Sequence, residues 1–161
     1  MNKIITLKKN EDHRILNGHL WAFSNEIAKI EGEPQAGDVV ELHNHAGKFL
    51  GRGFFNPSSL IAVRLLTRQQ EEIDFQFFQR RIESALALRK KLYPNSEAFR
   101  LVHGESDFLP GLIVDKYNDY LSIQTFSYGM DKRLTLICDV LESLFHPKGI
   151  IERNESPMRT L

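Results

Sequence analysis

Apolar and polar positions alternate over short runs through residues 1–67, and from residue 71 the apolar ones recur at helical spacing instead. In the first stretch, Lys3–Lys8 reads as a strand and Glu11–Leu16 as a short helix stopped by Asn17-Gly18. Val39–Asn44 and Lys48–Phe55 flank His45-Ala46-Gly47, a short glycine-containing connection of the kind that closes hairpins. Asn56-Pro57-Ser58-Ser59 then turns the chain into the apolar run Leu60–Leu66. Several short strands joined by turns predict a small β-barrel over residues 1–67.

Beyond it, Phe75, Phe78, Ile82, Ala85, Leu86 and Leu92 mark the apolar stripe of a helix over Glu71–Leu92, with Asp74 as its N-cap and Tyr93-Pro94-Asn95 as its stop. Strands follow near Phe99–His103, Leu112–Tyr117 and Tyr120–Phe126, the last two joined by a tight turn at Asn118-Asp119. A second helix over Asp131–Phe145 carries Leu134, Ile137, Cys138, Leu141, Leu144 and Phe145 on one stripe, and Gly149–Arg153 reads as a last strand. The predicted class is α+β: a small barrel over 1–67, then a compact α+β domain with two flanking helices over 72–161.

The 21 basic and 21 acidic residues cancel, so overall charge selects no partner. Residues 1–68 hold nine Lys/Arg against seven Asp/Glu, a net of +2, and the remainder is correspondingly negative. A single cysteine excludes an internal disulfide and fits a reducing compartment. The apolar core near the N-terminus is too short for a signal peptide, and no run approaches the roughly 18–20 apolar residues of a membrane helix. A cytoplasmic protein is expected.

Arg14, Trp21, Phe23, Lys48, Arg52, Asn56 and Arg64 supply the groups RNA recognition uses: cations for phosphate, flat faces for stacking, amides for base edges. Spacing alone does not bring them to one surface, and a lone tryptophan is by default a core residue. Gly51-Arg52-Gly53 within a strand marks a close backbone approach, to another strand or to RNA. Among His103, Glu105, Asp107 and Asp115, turn chemistry is expected ahead of metal binding or acid–base work: Asp107 accepting from backbone amides, Pro110-Gly111 forming a turn, Asp115 capping the hairpin. Cys138, on an apolar helix stripe, is expected buried, with a raised pKa and no nucleophilic role. The histidines show no zinc spacing, and no phosphate-cradling glycine loop is present.

Three segments together carry a resemblance: Asn17-Gly-His-Leu-Trp-Ala-Phe-Ser-Asn-Glu-Ile27, Gly53-Phe-Phe-Asn-Pro-Ser-Ser-Leu-Ile-Ala-Val-Arg64 and Arg100-Leu-Val-His-Gly-Glu-Ser-Asp-Phe-Leu-Pro-Gly-Leu-Ile-Val-Asp115. In this order they resemble the front part of the PUA-containing, SAM-dependent large-subunit rRNA methyltransferases of the RlmI type. The third departs from the family's Gly-Glu-x-Asp-Gly-Leu-Pro-Gly pattern, since Phe108 stands in place of a glycine, and Leu20 replaces a proline.

The resemblance implies a PUA-like barrel gripping 23S rRNA in a groove between the short helix and barrel strands. That groove would use Arg14, His19, Lys48, Arg52 and Arg64, with Trp21 and Asn56 beside them. A middle domain would follow, then a catalytic domain, absent from this chain, that binds S-adenosylmethionine and methylates a base, cytosine C5 being the expected atom. No catalytic, cofactor or metal residue is expected within residues 1–161. The chain-end Arg153 and Arg159 resemble the family's lead-in to that domain. The alternatives are a stand-alone RNA-binding or ribosome-associated module, and a scaffold that forms homodimers through its strand edges.

Overall fold

The computed structural model describes residues 3–154 and divides into two compact units, with the boundary between Glu71 and Glu72. The first contains β1 (Ile4–Leu7), α1 (His13–Leu16), β2 (Trp21–Phe23), β3 (Ile27–Glu31), β4 (Val39–His43), β5 (Phe49–Phe55) and β6 (Ile61–Thr67). These strands form one sheet in the order β2-β6-β5-β4-β1-β3. It curls into a half-barrel and has no hydrogen-bonded ladder between its edge strands, β2 and β3. A single 3-10 turn, Ser24–Glu26, joins those edges instead. β1 pairs parallel to β4 and antiparallel to β3.

Ile5, Leu7, Val40, Leu42, Ala62, Val63 and Leu65 belong to one buried core cluster, and Ile15 of α1 joins them. Gly51 and Gly53 explain how β5 and β6 approach so closely at the bulge beside Arg52. A Cβ on Gly51 would sit 2.4 Å from the Thr67 carbonyl oxygen, and one on Gly53 would sit 2.1 Å from that of Arg64. The close approach read from the sequence is therefore to a neighbouring strand.

The second unit contains α2 (Phe75–Leu92), β7 (Ala98–His103), β8 (Leu112–Tyr117), β9 (Tyr120–Thr125), α3 (Tyr128–Asp131), α4 (Leu134–Phe145) and β10 (Gly149–Glu152). Its sheet runs β10-β9-β8-β7, with β10 parallel to β9 and the other pairs antiparallel. Asp74 caps α2, its Oδ1 accepting from the Phe77 amide at 2.9 Å. The buried stripe of α2 is Phe77, Phe78, Ile82 and Ala85, whereas Phe75 and Leu86 are half-buried and Leu92 is exposed. The single second helix expected from the sequence is two: Ser127 caps α3, and the chain breaks at Lys132-Arg133 before α4 begins. His146 ends α4 in the left-handed region.

Candidate nucleic-acid interface

In β2 the sheet's alternation decides the placement of the aromatics. Ala22 points inward and is fully buried, which turns Trp21 and Phe23 to the other face, each half-exposed. Trp21 is thus not a core residue. Its ring meets Phe23 edge-to-face, with centroids 6.5 Å apart. Arg14, raised on α1 beside the buried Ile15, lays its guanidinium 4.6 Å over the Phe23 ring. Buried Glu26 holds this arrangement from below: it pairs with Arg14 at 2.5 Å and accepts from the Phe23 amide at 2.8 Å.

Across the β2–β6 ladder, Trp21 stands opposite Arg64. The Arg64 guanidinium donates to the Ile61 carbonyl at 3.1 Å, which keeps it along the strand. His19, exposed at the entrance to β2, donates its amide to the Arg14 carbonyl, and its own carbonyl accepts from Arg68 at 3.2 Å. The corner therefore assembles Arg14, His19, Trp21, Phe23, Arg64 and Arg68, with Glu26, the partner of Arg14, buried and engaged. Cations beside a half-exposed indole suit phosphate contact and base stacking. Arg68 was missed in the sequence. Its position becomes legible only once β2, three residues long, is known to pair with β6.

The other sequence candidates lie elsewhere in the same unit. Lys48 is exposed in the β4–β5 connection, where Asn44 Oδ1 accepts from the Ala46 and Lys48 amides and Asn44 Nδ2 donates to Asp12. Arg52 is a strut. It donates to Glu41 Oε1 at 2.9 Å and to the Glu71 carbonyl at 2.9 Å. Burial pushes the Glu41 carboxyl up, but hydrogen bonds from Arg52 and His43 outweigh it and hold that group below the usual carboxylate range. Asn56 closes its turn, accepting from the Ser58 amide at 3.0 Å.

In the second unit, the expected turn chemistry is present with a partner the sequence did not disclose. Asp107 accepts from the His103 amide at 2.6 Å and takes a two-pronged pair from Arg89 of α2, at 2.8 and 2.6 Å. The two side chains are only 11% and 4% exposed. Asp115 does not cap the hairpin. It lies mid-strand opposite Arg100 and accepts two hydrogen bonds from it. Phe108 occupies a left-handed conformation, φ +57°, which accounts for glycine in the family pattern at this position. Its ring is 52% exposed and lies under the Arg81 guanidinium at 5.4 Å.

Cys138 is half-buried at the edge of the α4 stripe rather than within it, because Ile137, Val140 and Leu141 take the inward positions. Desolvation, with Glu142, Asp139 and Glu152 nearby, still pushes its thiol up. Among the described residues no group of three or more metal-ligating side chains converges, and no helix is long and apolar enough to cross a membrane. Arg153 is exposed just past β10, and Arg159 lies outside the described residues.

Residues 5–68 match the PUA-like domain family. Over 99% of its length the chain is 38% identical to ribosomal RNA large subunit methyltransferase I of Tolumonas auensis, and 36% identical to the Vibrio cholerae protein of that name. It spans 41% of the length of each of these relatives. A solved structure from Streptococcus mutans, provisionally assigned as a SAM-dependent methyltransferase, superposes with a TM-score of 0.82 over 96% of this chain and 41% of its own, at 16% identity. That likeness establishes the fold. The chain thus carries a PUA-like domain at residues 5–68 and is related along nearly its whole length to part of the ribosomal RNA large subunit methyltransferase I proteins.

Proposed function

We propose that this chain is the RNA-gripping and positioning portion of a SAM-dependent methyltransferase acting on 23S rRNA. The observation that carries the proposal is the corner at α1, β2 and β6. There Arg14 is stacked on Phe23, Trp21 is turned outward opposite Arg64, and Arg68 reaches the His19 backbone. In this reading the cations meet phosphates, the indole stacks on an exposed base, and the remaining candidates Lys48 and Asn56 contribute at the margin. Arg52 acts by holding β4 and the end of unit one in place rather than by touching RNA.

Remote binding of this kind has a catalytic use. Contact energy at the grip offsets the few kcal/mol, roughly, needed to lift a target base from its stack and present it elsewhere. S-adenosylmethionine and a cytosine C5 target belong to the proposal for the whole enzyme. In this reading the Gly51 and Gly53 positions serve the close approach of the β6 backbone, and the raised pKa of the half-buried Cys138 thiol argues against a nucleophilic role. Cytoplasmic residence and a homodimer complete the proposal for the full-length enzyme.

The test is a filter-binding titration of a structured large-subunit rRNA fragment across salt. Affinity is expected to fall steeply with salt, because phosphate contacts release counterions. Binding that is absent at low ionic strength, or indifferent to Arg64→Ala, would overturn the assignment.

A further inference from the structure

The sheet of the second unit has two unlike faces. Leu112, Val114, Leu121 and Ile123 point to the helix-covered side and are fully buried. The alternate positions point the other way: Tyr117 and Tyr120 are exposed, while Ile113, Asp115 and Gln124 are half-buried and Ser122 is buried. Ladder register sets them in rows across the strands: Tyr117 opposite Tyr120, and Arg100 opposite Asp115, which is opposite Ser122, which is opposite Ile151. Tyr117 and Tyr120 are 51% and 48% exposed, and Arg100 and His103 are exposed as well. Arg153 extends the β10 alternation toward the same side, its amide donating to the Ile123 carbonyl. At the centre, the Ser122 hydroxyl is buried without a hydrogen-bond partner among the described residues.

We propose that this open face binds single-stranded RNA, with bases stacked on Tyr117 and Tyr120 and phosphates met by Arg100 and Arg153. A second copy of the chain is the other candidate occupant, but the composition favours RNA. Two exposed phenol side chains stand opposite each other in the ladder at the hairpin end of the sheet. On this face Arg100 and Arg153 stand against Asp115, whose carboxylate accepts two hydrogen bonds from Arg100. A helix-backed sheet that presents aromatics on its free side is a general solution for splaying and stacking unpaired bases. The inference rests on the RNA-binding reading only for the nature of the ligand. Its residues all lie outside unit one.

The experiment uses the whole chain and a short fluorescent oligouridylate carrying 4-thiouridine. Tyr117→Ala and Tyr120→Ala should each weaken binding about tenfold, and Tyr120→Phe should restore it, because stacking needs the ring and not the hydroxyl. Cross-links should map to the peptide spanning Tyr117–Tyr120. Unchanged circular dichroism in the variants confirms that they fold, and the phenylalanine variant keeps the test decisive if the alanines do not. Oligouridylate affinity unaffected by the tyrosine changes, with cross-links confined to residues before Glu72, would overturn this site while leaving the Arg64-dependent grip intact. A concentration-dependent dimer abolished by Tyr120→Ala, without any change in RNA affinity, would also overturn it by assigning the face to self-association. If neither RNA binds, both readings fall.

Discussion

Replacing Asp107 with alanine should be the most damaging single change in the second unit. The carboxylate takes two hydrogen bonds from Arg89 and one from the His103 amide, with almost no solvent access to either charged side chain. Removing it leaves a guanidinium enclosed without its counter-charge, a situation that costs about 3–5 kcal/mol. A unit of this size has a total stability of only about 5–15 kcal/mol, so the loss is a large share. At roughly 4–8 °C per kcal/mol for a domain near 90 residues, the melting point should drop by at least about 12 °C.

The assay separates the units. Trp21, the only tryptophan, reports on the first, while α2 and α4 lend the second most of the helical circular dichroism. A second variant, Asp107→Leu combined with Arg89→Met, removes both charges and should be less damaging than the single change. A helical melt within about 2 °C of the parent for Asp107→Ala would refute the reasoning and reduce the pair to a surface ornament.

The two arginines expected to touch RNA should behave differently. Arg64→Ala should weaken rRNA binding and lower the salt dependence by about one counterion while leaving the first unit's melt nearly unchanged, whereas Arg52→Ala should cost about 1–3 kcal/mol of stability, read by Trp21 fluorescence. Equal melting points for both variants would contradict the strut assignment. Because the folded-state Glu41 pKa is depressed, its stabilisation is present above the ordinary value of 4.5 and is lost as pH falls through the lower folded value. Acid melts of Glu41→Gln should therefore lose less stability across that window than the parent, and an identical acid loss in both would count against it. The Cys138 thiol should alkylate more slowly than a free thiol near pH 8 and accelerate as pH rises. Cys138→Ser should cost less than about 1 kcal/mol, given its edge position, and rapid alkylation at neutral pH would contradict the raised pKa.

Much of this architecture could be read before any coordinates, and the failures share a cause. β1, β4, β5 and β6 are legible because each carries an alternating or apolar run of four or more residues beside recognisable turns. β2 and β3 are not, since Trp21–Phe23 is too short to show a period and Ile27–Glu31 exposes Ala28, Lys29 and Ile30 in succession. The grouping of the site was hidden at the same place, because Trp21 and Arg64 become neighbours only through β2–β6 pairing across some 40 residues of sequence. Asp107 was readable as a turn acceptor from its own loop, but Arg89 sits on a helix 18 residues earlier, and no local pattern links them. For α2, Phe75 fits the helical period as well as Phe77 does, and tertiary packing chose the second.

The placement of β1 has a practical consequence. Four residues, Ile4–Leu7, are wedged between β3 and β4, and β3 has no other neighbour in the sheet. Trimming the protein past Leu7 would cast Ile27–Glu31 adrift, with its amides and the Ile30 side chain exposed to passing molecules. Versions shortened for crystallisation should therefore clump rather than merely soften, and an extension added ahead of Ile4 is the safer edit.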